Sequence, residues 1–363
     1  MALTHELRRA RLRSLLTGRG LDGLLVTSLV NVRYLTGFVG SNAGLLVSAD
    51  GDCVDVLATD GRYAQAAAAA CPDVELLVER DTGPALADLA ERRRLTALGY
   101  ESHELTVDGF RAVQLAAPSL ELRRSDRAVE ELRAVKDAAE ITALRAACAA
   151  ADAAFADVLP NIRPGVTERT LAADLVGRMR RYGSEAPSFD TIVAAGEHSA
   201  VPHHRPTDRP VRLGDFVKID FGAVVDGYHS DMTRTVVVGE PAGWQRDIYD
   251  LVAAAQQAGV EAVTDGIPTA QVDRAARRVV EAAGMGERFV HGLGHGVGLE
   301  IHEAPALGSG SAGALVRDMV VTVEPGVYLP GQGGVRIEDT LVVPAAGGPP
   351  ERLTLTGRDL LVL

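Results

Sequence analysis

The segment FVKIDFGAVVDGYHSDMTRTVVV (216–238) places two aspartates, Asp220 and Asp231, inside runs of apolar and β-branched residues. Such runs predict two β-strands, and the Asp-Gly pair at 226–227 is typical of a two-residue hairpin turn. With that turn, position 220 pairs with position 233, and Asp231 is the diagonal neighbour of Asp220 on the same face. Diagonal side chains lie roughly 7–8 Å apart, so two carboxylates leaning inward can hold a cation between them.

The segment VVTVEPGVYLPGQGGVRIEDTLVV (320–343) repeats this arrangement, with Glu324 and Glu338 inside two strand patterns. Four carboxylates within apolar strands are destabilising unless a cation compensates their charge. Between the two hairpins, HGLGHGVGLEIHE (291–303) adds His295 on a glycine-rich backbone that can pack closely. One imidazole and four carboxylates suit Mn or Co better than a tetrahedral structural Zn. The residues therefore predict a dinuclear metal site; the alternative for the two glutamates is a buried ion pair with Arg336.

An internal repeat indicates that the two hairpins share one site. IRPGVTERTLAADLVGRMRRYG (162–183) matches VTDGIPTAQVDRAARRVVEAAG (263–284) in its glycines, its turn residues and most of its apolar positions, at a constant offset of 101. Each copy predicts a turn and then a helix, and each precedes a histidine-bearing stretch and a carboxylate-bearing hairpin. We therefore expect a duplicated α/β unit, with the site where the two hairpin faces meet.

The first part of the chain has a different pattern. An arginine-rich amphipathic helix is predicted over residues 3–17, and short apolar runs such as GLLVTS and GLLVSAD then alternate with helical stretches, which is typical of an α/β domain. Because 363 residues are too many for one ordinary core, we expect two domains, at 1–126 and 127–363. After the boundary, apolar residues at steps of three and four predict a long helix. They are Ile141, Leu144, Cys148, Ala151, Phe155 and Val158.

The ordered motifs DFGA, SDMTRT, GHGVGLEIHE, VEPGVY and RIED resemble the pita-bread metallopeptidases, the family of aminopeptidase P, prolidase and methionine aminopeptidase. SAVPHHRPTDRPVRLGDFVKIDFGA (199–223) resembles the family's lead-in to these motifs, and LRAVKDAAEI (132–141) resembles the opening helix of its catalytic domain. YLTGFVGSNAG and DGRY in the first domain resemble a domain that methionine aminopeptidase lacks. The resemblance implies an α+β protein: an N-terminal α/β creatinase-like domain followed by a duplicated pita-bread catalytic domain.

The resemblance also implies the site residues. The family's five metal ligands correspond one for one to Asp220, Asp231, His295, Glu324 and Glu338. His203 and His302 correspond to two histidines that hold the substrate's carbonyl and oxyanion, and Arg336 would orient the substrate or Glu338. His204 is interpreted as a solvated neighbour of His203. His291 either supports the site through a hydrogen bond or is a core histidine.

The expected chemistry is hydrolysis by a metal-bridging hydroxide. Two divalent cations, Mn with Co or Zn as alternatives, would lower the pKa of a water between them, and Glu324 would pass the water's proton to the leaving amine. Relatives of this two-domain length cleave Xaa-Pro bonds. YLTGFVGSN favours an Xaa-Pro aminopeptidase of the aminopeptidase P type over an Xaa-Pro dipeptidase (prolidase). Creatinase, which works without metal, and a non-catalytic binding protein on the same fold are remoter alternatives, which the complete ligand set disfavours.

Bulk properties restrict the partners. The formal net charge of −12 makes a nucleic-acid or anionic-membrane partner unexpected. No signal-peptide pattern is present, no apolar run reaches about 18 residues, and the three cysteines are scattered. We therefore expect a cytoplasmic protein that binds proline-containing peptides, and the resemblance implies a homodimer.

Overall fold

The computed structural model describes residues 2–345 and 347–363, with the side chains of residues 2 and 3 left out. The chain divides into two compact units, one ending at Arg133 and the other spanning Ala134–Leu363. The sequence placed this division a few residues earlier, between 126 and 127. None of the helices within the described residues is long and apolar enough to cross a membrane.

The first unit is built on a six-stranded mixed sheet with strand order β4-β3-β2-β1-β5-β6. Its strands are β1 (Gly23–Val26), β2 (Gly44–Ser48), β3 (Val56–Thr59), β4 (Glu75–Val78), β5 (Ala97–Tyr100) and β6 (Glu121–Arg124). Its helices are α1 (Ala2–Gly18), α2 (Leu29–Thr36), α3 (Ala64–Ala70), α4 (Thr82–Arg92) and α5 (Val107–Ala116), with α6 (Ala128–Ala134) at the division. The central strands β1, β2 and β3 are fully buried, whereas the edge strands β4 and β6 carry exposed polar residues. The α/β pattern predicted for this part of the chain is confirmed.

The second unit contains the predicted duplication. Its helices are α7 (Ala138–Val158), α8 (Glu168–Arg181), α9 (Gly243–Ala262) and α10 (Thr269–Ala282). The bounds of α8 and α10 differ by the predicted offset of 101 at both ends. Each of these helices follows a glycine with positive φ, Gly165 or Gly266. The same offset relates their buried faces, which are Leu171, Leu175 and Met179 in α8 and Val272, Ala276 and Val280 in α10.

Each copy packs its helix pair mainly against its own sheet, so the second unit has two cores, and Phe216 and Val237 of the first copy extend into the second core. One core joins α7 and α8 to the strand order β11-β8-β7, and the other joins α9 and α10 to β13-β12-β14-β17-β18. The strands are β7 (Ile192–Ala195), β8 (Phe216–Phe221), β9 (Val224–Val225), β10 (Tyr228–His229), β11 (Met232–Val237), β12 (Gly294–Gly296), β13 (Glu303–Leu307), β14 (Val320–Val323), β15 (Gly326–Leu329), β16 (Gly333–Arg336), β17 (Asp339–Val342) and β18 (Glu351–Arg352).

Both carboxylate hairpins are broken in the middle, a feature that the sequence did not predict. The first consists of the β8–β11 pair followed by the short β9–β10 pair, and the second of β14–β17 followed by β15–β16. Thr233 pairs with Asp220, so the predicted register is confirmed. The turn residues Asp226 and Gly227 have φ of 50° and 74°, the conformation that an Asp-Gly hairpin turn requires.

The break in the first hairpin requires glycine at position 222. A Cβ added to Gly222 would lie 1.8 Å from the backbone oxygen of Ser230. Gly222→Ala should therefore lower the free energy of unfolding by more than about 2 kcal/mol, because the hairpin must open to relieve the clash. Chemical denaturation of both proteins measures this difference.

The matched control is Gly177→Ala, in the interior of α8, where an added Cβ meets no atom within 4 Å. This variant should be more stable than the wild type by about 0.5–1 kcal/mol, because alanine favours a helix over glycine. Equal effects of the two substitutions would show that the close approach at Gly222 does not restrict the hairpin.

Candidate metal centre

The five predicted ligands lie along one cavity in the second unit. Asp220 is within β8 and His295 is within β12, whereas Asp231, Glu324 and Glu338 each lie where a hairpin is broken. At a break the backbone leaves the regular sheet, and a side chain there can point across the cavity instead of packing into a core. The structure thus brings all five side chains to the same cavity, which has a volume of about 430 Å³.

The contacts within this group are close. Nε2 of His295 lies 3.6 Å from Oδ2 of Asp231 and 3.4 Å from Oε1 of Glu324. Three possible metal-binding atoms, one from each of Asp231, His295 and Glu338, lie within 4.8 Å of one another. Burial raises the pKa of Asp231 and of Glu338 well above the usual range, and the neighbouring carboxylates raise both further. Burial also raises the pKa of Glu324, to about 8, against the opposing charge of Arg336.

The orientation of His295 fits a cation. Its Nδ1 lies 3.0 Å from the backbone oxygen of Gly296, which can only accept, so we assign the ring proton to Nδ1. Burial lowers the pKa of His295 to about 4, so the ring is neutral at pH 7 and Nε2 presents a lone pair towards Asp231 and Glu324. An imidazole lone pair facing ionised carboxylates is repulsive unless a cation lies between them.

Two buried carboxylate oxygens give an independent test of the fit. Oδ1 of Asp220 and Oε1 of Glu338 are buried and accept no hydrogen bond from the described residues. The other oxygen of each group does have a partner: Arg336 donates to Asp220, and Thr233 Oγ1 donates to Glu338 over 2.7 Å. Unpaired buried anionic oxygens are destabilising unless a cation binds them. The donor set is therefore suited to hard or borderline divalent cations.

Arg336 contacts four parts of the site. Its guanidinium donates to Asp220, to Thr233 Oγ1 over 3.0 Å, to the backbone oxygen of Pro202 over 3.2 Å and to the hydroxyl of Tyr328 over 2.8 Å. A buried ion pair between Arg336 and a glutamate was the alternative to metal ligation. Arg336 pairs with Asp220 and also forms a longer ion pair with Glu324, over 3.8 Å from Nε to Oε2, so the ion-pair interpretation holds in part for Glu324.

Tyr328 was not predicted from the sequence as a site residue, although its hydrogen bond with His291 connects that histidine to the site. Nδ1 of His291 lies 2.7 Å from the backbone oxygen of Gly292, so its Nε2 accepts from the hydroxyl of Tyr328 at 2.9 Å. Tyr328 in turn accepts from Arg336. His291 thus supports the site through hydrogen bonds, the first of its two interpretations. Strand alternation was the available signal, since Tyr328 and Arg336 are diagonal on the β15–β16 pair.

The two predicted substrate histidines, His203 and His302, are exposed and line the cavity. The ring of His302 stands edge-on to that of His295, with 4.4 Å between the centroids. Burial followed by the charge of Arg336 lowers the pKa of His203. His204, interpreted as solvated, is instead largely buried and lies 2.9 Å from Glu168. The burial of His204 could not be predicted from the local sequence, because it results from packing against Glu168, which is distant in the sequence.

Two known sequence families match this chain. Residues 142–345 match the sequence model of Metallopeptidase family M24, and residues 8–135 match that of the Creatinase/Prolidase N-terminal domain. The solved structure of an Xaa-Pro dipeptidase from Bacillus anthracis is similar with a TM-score of 0.94 and 38% identity, covering 99% of this chain and 100% of that one.

Two further similar proteins carry the names of the two activities considered above, Xaa-Pro dipeptidase and X-Pro aminopeptidase. The Xaa-Pro dipeptidase of Pyrococcus horikoshii is 36% identical over 341 residues, which is 94% of this chain and 95% of that protein. The crystal structure of an X-Pro aminopeptidase from Thermotoga maritima is similar with a TM-score of 0.88 and 33% identity, covering 95% of this chain and 98% of that one.

The raised pKa of Glu324 predicts how the metal-free protein responds to pH. At pH values between 4.5, the ordinary pKa of a glutamate, and about 8, the carboxyl of Glu324 is protonated in the folded state and largely ionised in the unfolded state. The stability of the metal-free protein should therefore fall as pH rises from 5 to 8. The side chain in Glu324→Gln cannot ionise. The loss of stability between pH 5 and pH 8 should therefore be smaller in this variant than in the wild type, and the difference between the two losses should be roughly 3–5 kcal/mol. Urea denaturation in a chelator at both pH values measures the difference.

The matched control is Glu287→Gln, which changes an exposed glutamate outside the cavity. It should follow the wild-type pH dependence. If Glu324→Gln also followed it, the carboxyl of Glu324 would not be held in a repulsive, buried setting.

Proposed function

Since the chain belongs to Metallopeptidase family M24, we propose that it is an Xaa-Pro dipeptidase with two divalent cations, Mn first among them, in the cavity. The observation that carries this proposal is the convergence of four carboxylates and one neutral imidazole on a single cavity. Similarity along 94–99% of this chain to proteins named Xaa-Pro dipeptidase, at 36–38% identity, supports the substrate class. The aminopeptidase P preference drawn from YLTGFVGSN has less support than the dipeptidase alternative.

In this proposal Asp220, Asp231, His295, Glu324 and Glu338 hold the cations. When bound, the cations supply Lewis acidity and lower the pKa of the attacking water. The charge of the bound cations would keep Glu324 ionised, and its carboxylate would then take the proton of that water. It then donates the proton to the amine nitrogen that leaves with the proline residue.

The remaining residues of the site orient the substrate. His203 and His302 line the cavity with exposed rings that can donate hydrogen bonds to the scissile carbonyl and to the oxyanion formed from it. Four of the five N–H donors of Arg336 are directed at Asp220, Thr233, Pro202 and Tyr328, and its side chain is buried. We therefore assign Arg336 to positioning Asp220, in place of the two roles that the resemblance implied, orienting the substrate or orienting Glu338. The homodimer and the cytoplasmic location stay predictions.

Substitution of Asp231 tests the metal assignment. Asp231→Asn should reduce turnover of an Xaa-Pro dipeptide by at least about a thousandfold, because the amide is a poor ligand for a divalent cation. Its metal content after dialysis against Mn should fall, while its circular dichroism spectrum should match the wild type. Asp190→Asn, which changes an exposed carboxylate at the same cavity, should keep the wild-type metal content. Near-normal turnover by Asp231→Asn would refute the assignment.

The choice between dipeptidase and aminopeptidase depends on how the cavity meets the substrate's C-terminus. Arg205 lines the cavity, is exposed, and makes no hydrogen bond or ion pair with the described residues. It lies two positions after His203. In an Xaa-Pro dipeptide the residue after the scissile bond carries a free carboxylate, and a guanidinium binds such a group with charge-assisted hydrogen bonds. We propose that Arg205 binds this carboxylate.

Arg205→Gln should raise KM for Ala-Pro about tenfold, the loss expected for one charge-assisted contact, and should leave Ala-Pro-amide almost unaffected. Steady-state kinetics with Mn added measures both substrates. Arg212→Gln, at an exposed arginine outside the cavity, should change neither. Faster cleavage by the wild type of Ala-Pro-Ala than of Ala-Pro would favour the aminopeptidase. Equal losses on the dipeptide and its amide would remove Arg205 from carboxylate binding.

A further inference from the structure

A second group of metal-type ligands lies beside the cavity and shares no residue with the five above. Glu168, the first residue of α8, is fully buried. Nδ1 of His198 lies 2.8 Å from its Oε1, and Nε2 of His204 lies 2.9 Å from its Oε2. The three ligand atoms fall within 4.8 Å of one another. The group therefore contains two imidazoles and one carboxylate, a known ligand set for zinc.

The carboxylate of Glu168 is held in place by groups that a metal ion would not displace. The backbone nitrogen of Ala195 donates to Oε1 over 2.8 Å, and Thr207 donates to Oε2 from its backbone nitrogen over 2.9 Å and from Oγ1 over 2.7 Å. Burial by itself raises the pKa of Glu168, but these hydrogen bonds, with that from His204, hold it below its ordinary value. An ionised carboxylate fixed by outer hydrogen bonds is the arrangement found around metal ligands.

The two imidazoles can close around an ion. Their ring centroids are 4.3 Å apart, with an angle of 33° between the planes. A tetrahedral zinc ion places neighbouring ligand atoms roughly 3.3 Å apart, so a small movement of one ring is enough. The side chain of His198 is 28% exposed, against 11% for His204, which leaves it free to move and leaves the fourth position open to solvent.

We propose that Glu168, His198 and His204 form an additional transition-metal site that takes Zn²⁺. Two nitrogens and one oxygen favour zinc over manganese, whereas the four carboxylates and single imidazole of the candidate centre do not. The ion would take the place of the imidazole protons that now point at Glu168, and each neutral ring would carry its single proton on its other nitrogen instead, so no net proton is released. Because His204 adjoins His203, zinc at this site would tie the loop that carries His203 to α8.

Zinc titration in a background with a disabled candidate centre isolates the site. The background is Asp231→Asn with Glu338→Gln, and calorimetry with Zn²⁺ alone should detect binding of one ion. Adding His198→Gln, which lies outside the cavity lining, should weaken that binding at least about tenfold. Adding His103→Gln is the matched control, because His103 lies 2.8 Å from Glu130 without a second imidazole beside it. That variant should bind zinc as the background does.

X-ray absorption at the zinc edge gives a second readout, with two nitrogen ligands expected in the background protein and one in the His198→Gln variant. If His198→Gln were to fail to fold by circular dichroism, His204→Gln would replace it in the same titration. Zinc binding unchanged by loss of either histidine would overturn the proposal. Absence of zinc binding in the background would also overturn it, and the two imidazoles would then act only as hydrogen-bond donors to Glu168.

Discussion

Mutual repulsion among buried carboxylates is the constraint on which the second unit depends. Asp220, Asp231, Glu324 and Glu338 face one cavity, and burial raises the pKa of three of them. Arg336 is the buried side-chain cation in direct contact with this group, and it pairs with Asp220. One guanidinium does not compensate four carboxylates, so the site needs further positive charge to be stable with all four ionised. Divalent cations provide that charge, and the chain is a metal-dependent peptidase of family M24.

The duplicated architecture explains how the chain holds such a group together. Each copy has its own helix pair and sheet, and the two apolar cores contain none of the five ligands. Each copy also presents one broken hairpin, and the breaks direct the acidic side chains out of the cores and into the cavity. Buried contacts between the hairpins then fix their spacing. Arg234 of β11 lies 2.7 Å from Asp339 of β17, and Thr233 donates to Glu338. Destabilising charges are thus held by elements that are stable for other reasons.

Much of this arrangement could be predicted because the relevant signals are local. The Asp-Gly turn specified the register that pairs Asp220 with Thr233, and the repeat specified the matching bounds of α8 and α10. The long stripe of α7 is likewise buried at Leu144, Cys148 and Phe155. The hydrogen-bond partners could not be predicted, because Tyr328 meets His291 and Glu168 meets His204 only after distant segments pack. The breaks in the hairpins were missed because Gly222 and Pro325 lie in otherwise continuous strand patterns.

Anomalous X-ray diffraction from crystals grown with Mn²⁺ tests the central claim most directly, because it locates ions without reference to activity. The account predicts two manganese peaks in the cavity, in contact with oxygens of Asp220, Asp231, Glu324 and Glu338 and with Nε2 of His295. The unpaired oxygens of Asp220 and Glu338 should be among the contacts. A cavity without manganese at a pH where its four carboxyl groups are ionised, or manganese peaks only outside the cavity, would contradict the account.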